Sequence, residues 1–197
     1  MNSKMLVPNI NESQKSLLEK HMANIALGDK EALADLYKLT KSAVYGFALS
    51  ILKNTHEAED VLQEVYIKVY ENALSYKSNE KPLSWILTIT KNLSLMKIRK
   101  NKNHMDVDEL KEILADNKGI NEIENQLLVN TVFSYITDEE RNILILHSVS
   151  GLKHREIAKM LELPLATVLS KYNRAIKKIK RKMGEEKKWE RKKLIKD

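Results

Sequence analysis

The sequence contains no cysteine and only three prolines and five glycines among its 197 residues. Without cysteine the chain can form neither a disulfide nor a thiolate metal site. The scarcity of glycine and proline favours helix, and no segment alternates polar and apolar residues as a strand would. No apolar run approaches the roughly 18–20 residues of a membrane span, and the N-terminal MNSKMLVPNINESQK lacks the apolar core of a secretory signal. These absences predict an all-α, soluble, cytoplasmic protein.

The five histidines are scattered along the chain. None forms the helical pair of a zinc motif such as H-E-x-x-H. We therefore expect no metal centre and no cofactor.

Positive charge is concentrated near the C-terminus. Residues 153–197 carry 16 Lys and Arg against 6 Asp and Glu, a net charge of +10, whereas residues 1–152 carry a net charge of −3. A basic end on a slightly acidic body predicts a polyanionic partner, either nucleic acid or an anionic membrane surface.

Apolar periodicity predicts a first helical block that ends near residue 103. Its first predicted helix, KEALADLYKLTKSAVYGFALSILK, has Asp29 as a candidate N-cap, and the next has Thr55. Pro82 suits the first turn of a third helix over 82–100. The polar stretch over 104–121 is expected to be a flexible linker, with a short helix near 110–114.

A second block is predicted over 122–184, followed by a basic tail over 185–197. It should contain a helix near 123–136 and another that opens with a capping box of Thr137 and Glu140 and stops by Gly151. Then HREIAKMLEL predicts a short helix, ELP a tight turn, and the segment from about Pro164 a longer helix with a basic exposed side. This arrangement is typical of a helix-turn-helix, although a membrane-lying basic helix is an alternative.

Three segments together resemble a bacterial RNA polymerase sigma factor of the small extracytoplasmic-function type. They are LYKLTKSAVYGFALSILKNTHEAEDVLQEVYIKVYENA, KPLSWILTITKNLSLMKIRK and ITDEERNILILHSVSGLKHREIAKMLELPLATVLSKYNRAIKKIK. The resemblance implies two helical domains, sigma domain two over 1–103 and sigma domain four over 122–184. It also implies a non-enzymatic subunit that binds core RNA polymerase and promoter DNA, helps open the duplex, and is often paired with an anti-sigma protein.

The resemblance also assigns candidate sites. Polymerase docking would use an acidic and amide face of one helix, formed by Asp60, Gln63 and Glu64. Residues 85–102 contain five basic residues and no acid, which suits single-stranded DNA. The domain-two candidates for DNA are Tyr76, Lys77, Lys91, Asn92, Lys97 and Arg99, while Trp85 is expected to pack in the core. The domain-four candidates are Thr167, Ser170, Lys171, Arg174 and Lys178.

The second block departs from the family pattern at several positions. Leu169 stands where a DNA-facing lysine is usual, and Glu162 stands at a turn where glycine would relieve a left-handed backbone. A free-standing helix-turn-helix regulator remains the alternative function. It would have no use for the docking face and the single-strand-binding helix of the first block.

Overall fold

A computed structural model of the chain describes residues 12–78, 81–104 and 134–193. Those ranges contain seven α-helices and a short 3-10 turn. The helices are α1 (Glu12–Ala26), α2 (Lys30–Leu52), α3 (Thr55–Asn72), α4 (Pro82–His104), α5 (Asp138–Ser148), α6 (His154–Leu161) and α7 (Leu165–Lys193), and the turn is Ala73–Ser75. No strand occurs in the described ranges, so the all-α prediction is confirmed. The predicted linker over 104–121 and the predicted helices near 110–114 and 123–136 fall largely or wholly outside these ranges.

The helix starts follow local capping chemistry. Asp29 caps α2 by accepting from the N–H groups of Glu31 and Ala32, and α4 begins at Pro82, as predicted. The capping box of Thr137 and Glu140 opens α5, also as predicted. The cap predicted for α3 was wrong, because Asn54 accepts from the Glu57 N–H and Thr55 is already helical.

Helix α1 was not predicted. Leu18, Met22 and Ile25 are buried on one side of it, at a spacing of four and three residues. This apolar stripe is short and most of the other side chains of α1 are polar, so most of the stabilisation of α1 comes from packing against α2 and α4 rather than from propensity.

Helices α1–α4 enclose the first core. Phe47, Val65 and Ile86 are fully buried there, one from each of three helices. Burial of a large apolar side chain stabilises a fold by roughly 1.5–3 kcal/mol. Met96 of α4 is 61% exposed, and the buried side of this helix runs through Leu83, Leu87 and Leu93, among others.

Helices α5–α7 form the second unit, and α6, a tight turn and α7 make the predicted helix-turn-helix. Ile143, Ile157 and Val168 are fully buried and join the three helices. Glu162, in the turn, has φ of 57°, so the expected left-handed residue is present without a glycine. The helical backbone of α7 continues to Lys193, through most of the predicted basic tail.

In the part of the chain that the structure describes, no helix combines the length and the apolar character needed to cross a bilayer.

Candidate polymerase- and nucleic-acid-binding surfaces

The acidic face of α3 is exposed as predicted. Asp60, Gln63 and Glu64 all lie on the solvent side of the helix, opposite the buried Val61 and Val65. The position of the apolar residues fixes this orientation, since side chains three and four residues apart share one face. The face is therefore available to a partner.

Asp60 is paired with a residue of α4. Its Oδ2 atom accepts a hydrogen bond from Lys97 Nζ at 2.6 Å. The hydrogen bond and the positive charge of Lys97 hold the pKa of Asp60 below its usual value. One predicted docking residue and one predicted DNA-binding residue thus form an ion pair, so the two candidate surfaces adjoin.

A cavity of about 380 Å³ opens where the loop after the 3-10 turn meets α4. Its lining includes Tyr76, Lys77, Lys81, Ser84, Trp85 and Thr88. The rings of Tyr76 and Trp85 lie 5.2 Å apart at a tilt of 56°, and Tyr76 donates its hydroxyl hydrogen to Glu19 Oε1 at 2.7 Å. Trp85 packs against the core, as expected, and also lines this cavity. The cavity combines aromatic rings with lysines, the side chains that stack on bases and neutralise phosphates.

Of the other domain-two candidates, Asn92 and Arg99 are exposed on α4. Lys91 is only 17% exposed and reaches the helix-turn-helix unit. Its Nζ donates to the Met160 carbonyl oxygen at 2.7 Å and to Glu162 Oε1 at 3.0 Å. In this arrangement Lys91 holds the two units together, whereas its predicted role is a DNA contact.

Further contacts hold the second unit against α2 and the start of α4. Ser50 Oγ donates to Asn142 Oδ1 at 2.8 Å, and Lys53 pairs with Asp138 at 2.6 Å. Lys81, beside the cavity, lies 3.4 Å from Glu156 of α6. The second unit therefore abuts the cavity-bearing end of α4.

Two of the five domain-four candidates on α7 are polar and uncharged. Ser170 is exposed, and Thr167 is half-buried near the start of the helix. Leu169, where the family usually has a lysine, is also exposed, at 40%. The buried side of α7 is defined by Val168 and Ala175.

The three basic candidates on α7 face the acidic first turn of α5. Lys171 pairs with Glu139, Lys178 donates to Glu140 Oε2 at 2.8 Å, and Arg174 Nε lies 3.9 Å from Glu140 Oε1. Their spacing of three and four residues could have suggested a common partner. The sequence pattern indicates only a capping role for Glu140.

Glu140 is a buried carboxylate, only 1% exposed. Burial alone would raise its pKa, but the hydrogen bonds from Lys178 and the Thr137 N–H, with the charges of Lys178 and Arg174, bring the pKa below its usual value. Its Oε1 atom is buried and accepts no hydrogen bond from the residues that the structure describes. A charged Glu140 therefore anchors α7 to α5.

An aromatic cluster packs between α5, α6 and α7. The rings of His147 and His154 stack at 4.2 Å, and Tyr172 meets each of them edge-on at 4.8 Å. Burial, together with the charge of His147, lowers the pKa of His154. Within the described ranges no group of acidic, histidine or cysteine side chains is arranged to hold a metal ion.

Comparison with known proteins extends over both units. Residues 36–104 match the family model for Sigma-70 region 2, and residues 129–179 match that for Sigma-70, region 4. Together these segments span more than half of the chain.

Individual relatives agree with the family models. The chain is 26% identical over 181 residues to the ECF RNA polymerase sigma factor SigW of Bacillus subtilis, covering 85% of this chain and 97% of that one. It is also 26% identical over 173 residues to SigK of Mycobacterium tuberculosis H37Rv, covering 83% and 91%.

Two solved structures share the fold. CnrH in complex with the cytosolic domain of CnrY has a TM-score of 0.62 at 16% identity, covering 85% of this chain and 97% of that one. RpoE in complex with the anti-sigma factor NepR from Bartonella quintana has a TM-score of 0.55 at 19% identity, covering 75% and 94%. With both sigma regions present in order, the chain belongs to the sigma-70 family of RNA polymerase sigma factors, and to its ECF type.

Proposed function

We propose that this protein works in the cytoplasm as a non-enzymatic promoter-specificity subunit, with docking on α3, strand capture on α4 and duplex recognition on α7. This assignment of roles to three helices rests on one observation. Residues 36–104 match Sigma-70 region 2, and the same chain also contains a helix-turn-helix. A free-standing regulator needs only the helix-turn-helix. The sigma function accounts for both parts.

Core RNA polymerase docks on the exposed face of Asp60, Gln63 and Glu64. Two carboxylates and an amide on one helix face suit an arginine-rich partner, because charge-assisted hydrogen bonds are the strong ones. When polymerase binds, Asp60 either gives up its ion pair with Lys97 for a pair with a polymerase cation or pairs with both cations at once. The exchange costs little free energy because Asp60 is largely exposed.

Promoter opening uses the cavity at the start of α4. A cavity of about 380 Å³ has room for one unstacked base, and Tyr76 and Trp85 supply aromatic surface to it. Lys77, Asn92, Lys97 and Arg99 then follow the separated strand along α4, as does Lys91 once it leaves the second unit. Thr167, Ser170, Lys171, Arg174 and Lys178 serve the duplex contact on α7.

An anti-sigma protein is the expected regulatory partner. RpoE of Bartonella quintana was solved with an anti-sigma factor, and it shares this fold. An anti-sigma protein that covers α3 or α4 would exclude polymerase or promoter DNA.

The test is a charge reversal on the docking face. Asp60→Lys with Glu64→Lys should weaken binding to core RNA polymerase at least tenfold and abolish promoter-dependent transcription in vitro. The matched control is Glu31→Lys with Asp35→Lys, two exposed acids at the same spacing on α2. Equal polymerase affinity for the two double variants would refute the docking assignment, provided that both melt at the wild-type temperature.

A further inference from the structure

Helix α1 reaches the loop that borders the cavity at the start of α4. Leu18 and Met22 are buried in the first core, and they fix the direction of Glu19, which lies half-buried at the edge of the helix. Glu19 Oε1 accepts the hydroxyl hydrogen of Tyr76 at 2.7 Å, and Glu19 Oε2 accepts that of Ser78 at 3.0 Å. One carboxylate therefore holds two residues of the loop, one with each oxygen atom.

The two residues held by Glu19 flank the part of the loop that lines the cavity. The rings of Tyr76 and Trp85 lie 5.2 Å apart, and both residues line the cavity. Lys77, between the two tethered residues, is exposed and lines the cavity as well. The orientation of the Tyr76 ring and the path of the backbone at Lys77 therefore depend on a side chain of α1.

This contact is not local in the sequence. Glu19 and Tyr76 are 57 positions apart, and Glu19 precedes residues 36–104, which match Sigma-70 region 2. Hydrogen bonds to an ionised carboxylate are stronger than those between neutral groups, so two of them restrain a short loop well. A loop that has the binding-competent shape for only a fraction of the time binds its ligand more weakly by that fraction.

On these grounds we infer that Glu19 is a positioning residue for strand capture, which holds residues 76–78 in the shape that accepts one unpaired promoter base. The inference rests on the proposed function, because it concerns the cavity that would bind the base. Glu19 acts through Tyr76 and Ser78 and does not contact the strand itself, since its negative charge would repel a DNA phosphate.

The experiment compares intact and abasic promoters, using the full chain bound to core RNA polymerase. The promoter is one that the wild-type holoenzyme selects from a randomised duplex pool, and abasic sites are placed one at a time in its upstream non-template strand. Permanganate reactivity of unpaired thymines reports opening, and filter binding on ice reports the closed complex. In the wild type one abasic position should reduce opening, because the cavity then has no base to bind.

The variants test whether Glu19 and the captured base act together. Glu19→Ala should reduce opening of the intact promoter about 5- to 30-fold, as expected for the loss of two modest hydrogen bonds. It should reduce opening of the abasic promoter much less, because the two losses are coupled. Glu19→Gln should retain most of the opening, since its amide can accept from Tyr76 and donate to Ser78. The matched control Lys20→Ala truncates the next, exposed side chain of α1 and should behave like the wild type on both promoters.

Three results would overturn the inference: wild-type opening by Glu19→Ala, equal losses on the intact and abasic promoters, or a loss of closed complex as large as the loss of opening. Each of them would leave the proposed function intact, provided that the wild type still responds to one abasic position. A wild-type holoenzyme that responds to no abasic position would refute base capture by the cavity, and the inference with it.

Discussion

Replacing Glu140 by glutamine tests the anchor between α5 and α7. Glutamine keeps the shape of the side chain and can still accept from the Thr137 N–H, whose nitrogen lies 2.9 Å from Glu140 Oε2 in the wild type. It removes the negative charge that faces Lys178 at 2.8 Å and Arg174 at 3.9 Å. The variant thus isolates the ionic part of the contact.

The expected loss of stability in Glu140→Gln follows from the burial of Glu140 and its hydrogen bond with Lys178. A hydrogen bond to a charged group contributes about 1.5–3 kcal/mol and a neutral one about 0.5–1.5 kcal/mol. Because a neutral amide is cheaper to bury than a carboxylate, part of the loss is recovered. We expect Glu140→Gln to lower the free energy of unfolding by about 1–2 kcal/mol. The control Glu139→Gln removes an exposed pair with Lys171 and should cost less than about 1 kcal/mol.

Urea denaturation followed by circular dichroism measures the free energy of unfolding of both variants, and hydrogen exchange of the α5 and α7 amides shows where stability is lost.

The ionic contribution of Glu140 should also depend on pH. The pKa of Glu140 is lowered on folding, so its contribution to stability is present above the unfolded pKa and disappears as pH falls through the folded pKa. The difference between wild type and Glu140→Gln should therefore shrink below about pH 4.5. Equal stability of Glu140→Gln and Glu139→Gln at pH 7 would contradict the anchoring role.

Three further outcomes are expected. Lys77→Ala with Asn92→Ala should reduce permanganate reactivity of unpaired promoter thymines more than closed-complex binding; the reverse pattern would assign both residues to duplex contacts. Because burial lowers the pKa of His154, the unfolded chain binds a proton at a pH where the folded chain does not. The melting temperature should therefore fall as pH drops below about 6.5. A His154→Gln variant should flatten that dependence, and an unchanged slope would exclude His154 as its source. Glu162→Gly should be about 1 kcal/mol more stable than Glu162→Ala in urea, because only glycine adopts the left-handed backbone without penalty; equal stability would contradict this strain.

Local chemistry made much of the fold predictable. The cap at Asp29, the capping box of Thr137 and Glu140, and the left-handed turn at Glu162 each depend on neighbours within a few residues. The exposure of Asp60 and Glu64 follows in the same way from the apolar residues of α3. Such features can be read from a single segment of sequence.

Contacts between distant segments were not predictable in that way. Lys91 and Met160 are 69 positions apart, and nothing near either of them in the sequence points to the other. The pairing of Lys178 with Glu140 has a similar origin, since it depends on how α5 and α7 pack. For this reason the sequence singled out these basic residues as a group but did not indicate which of them already have partners within the fold.

The contacts of Lys91 with the second unit have a thermodynamic consequence. In the proposed function Lys91 contacts a DNA phosphate from α4, and that contact competes with its hydrogen bonds to Met160 and Glu162, which leave the side chain only 17% exposed. Under that function, strand binding at α4 and separation of the two units are linked equilibria, and each must favour the other by the same factor. A mutation that weakens the contact between the units should raise the apparent affinity of α4 for single strands, without any change to the residues that touch DNA.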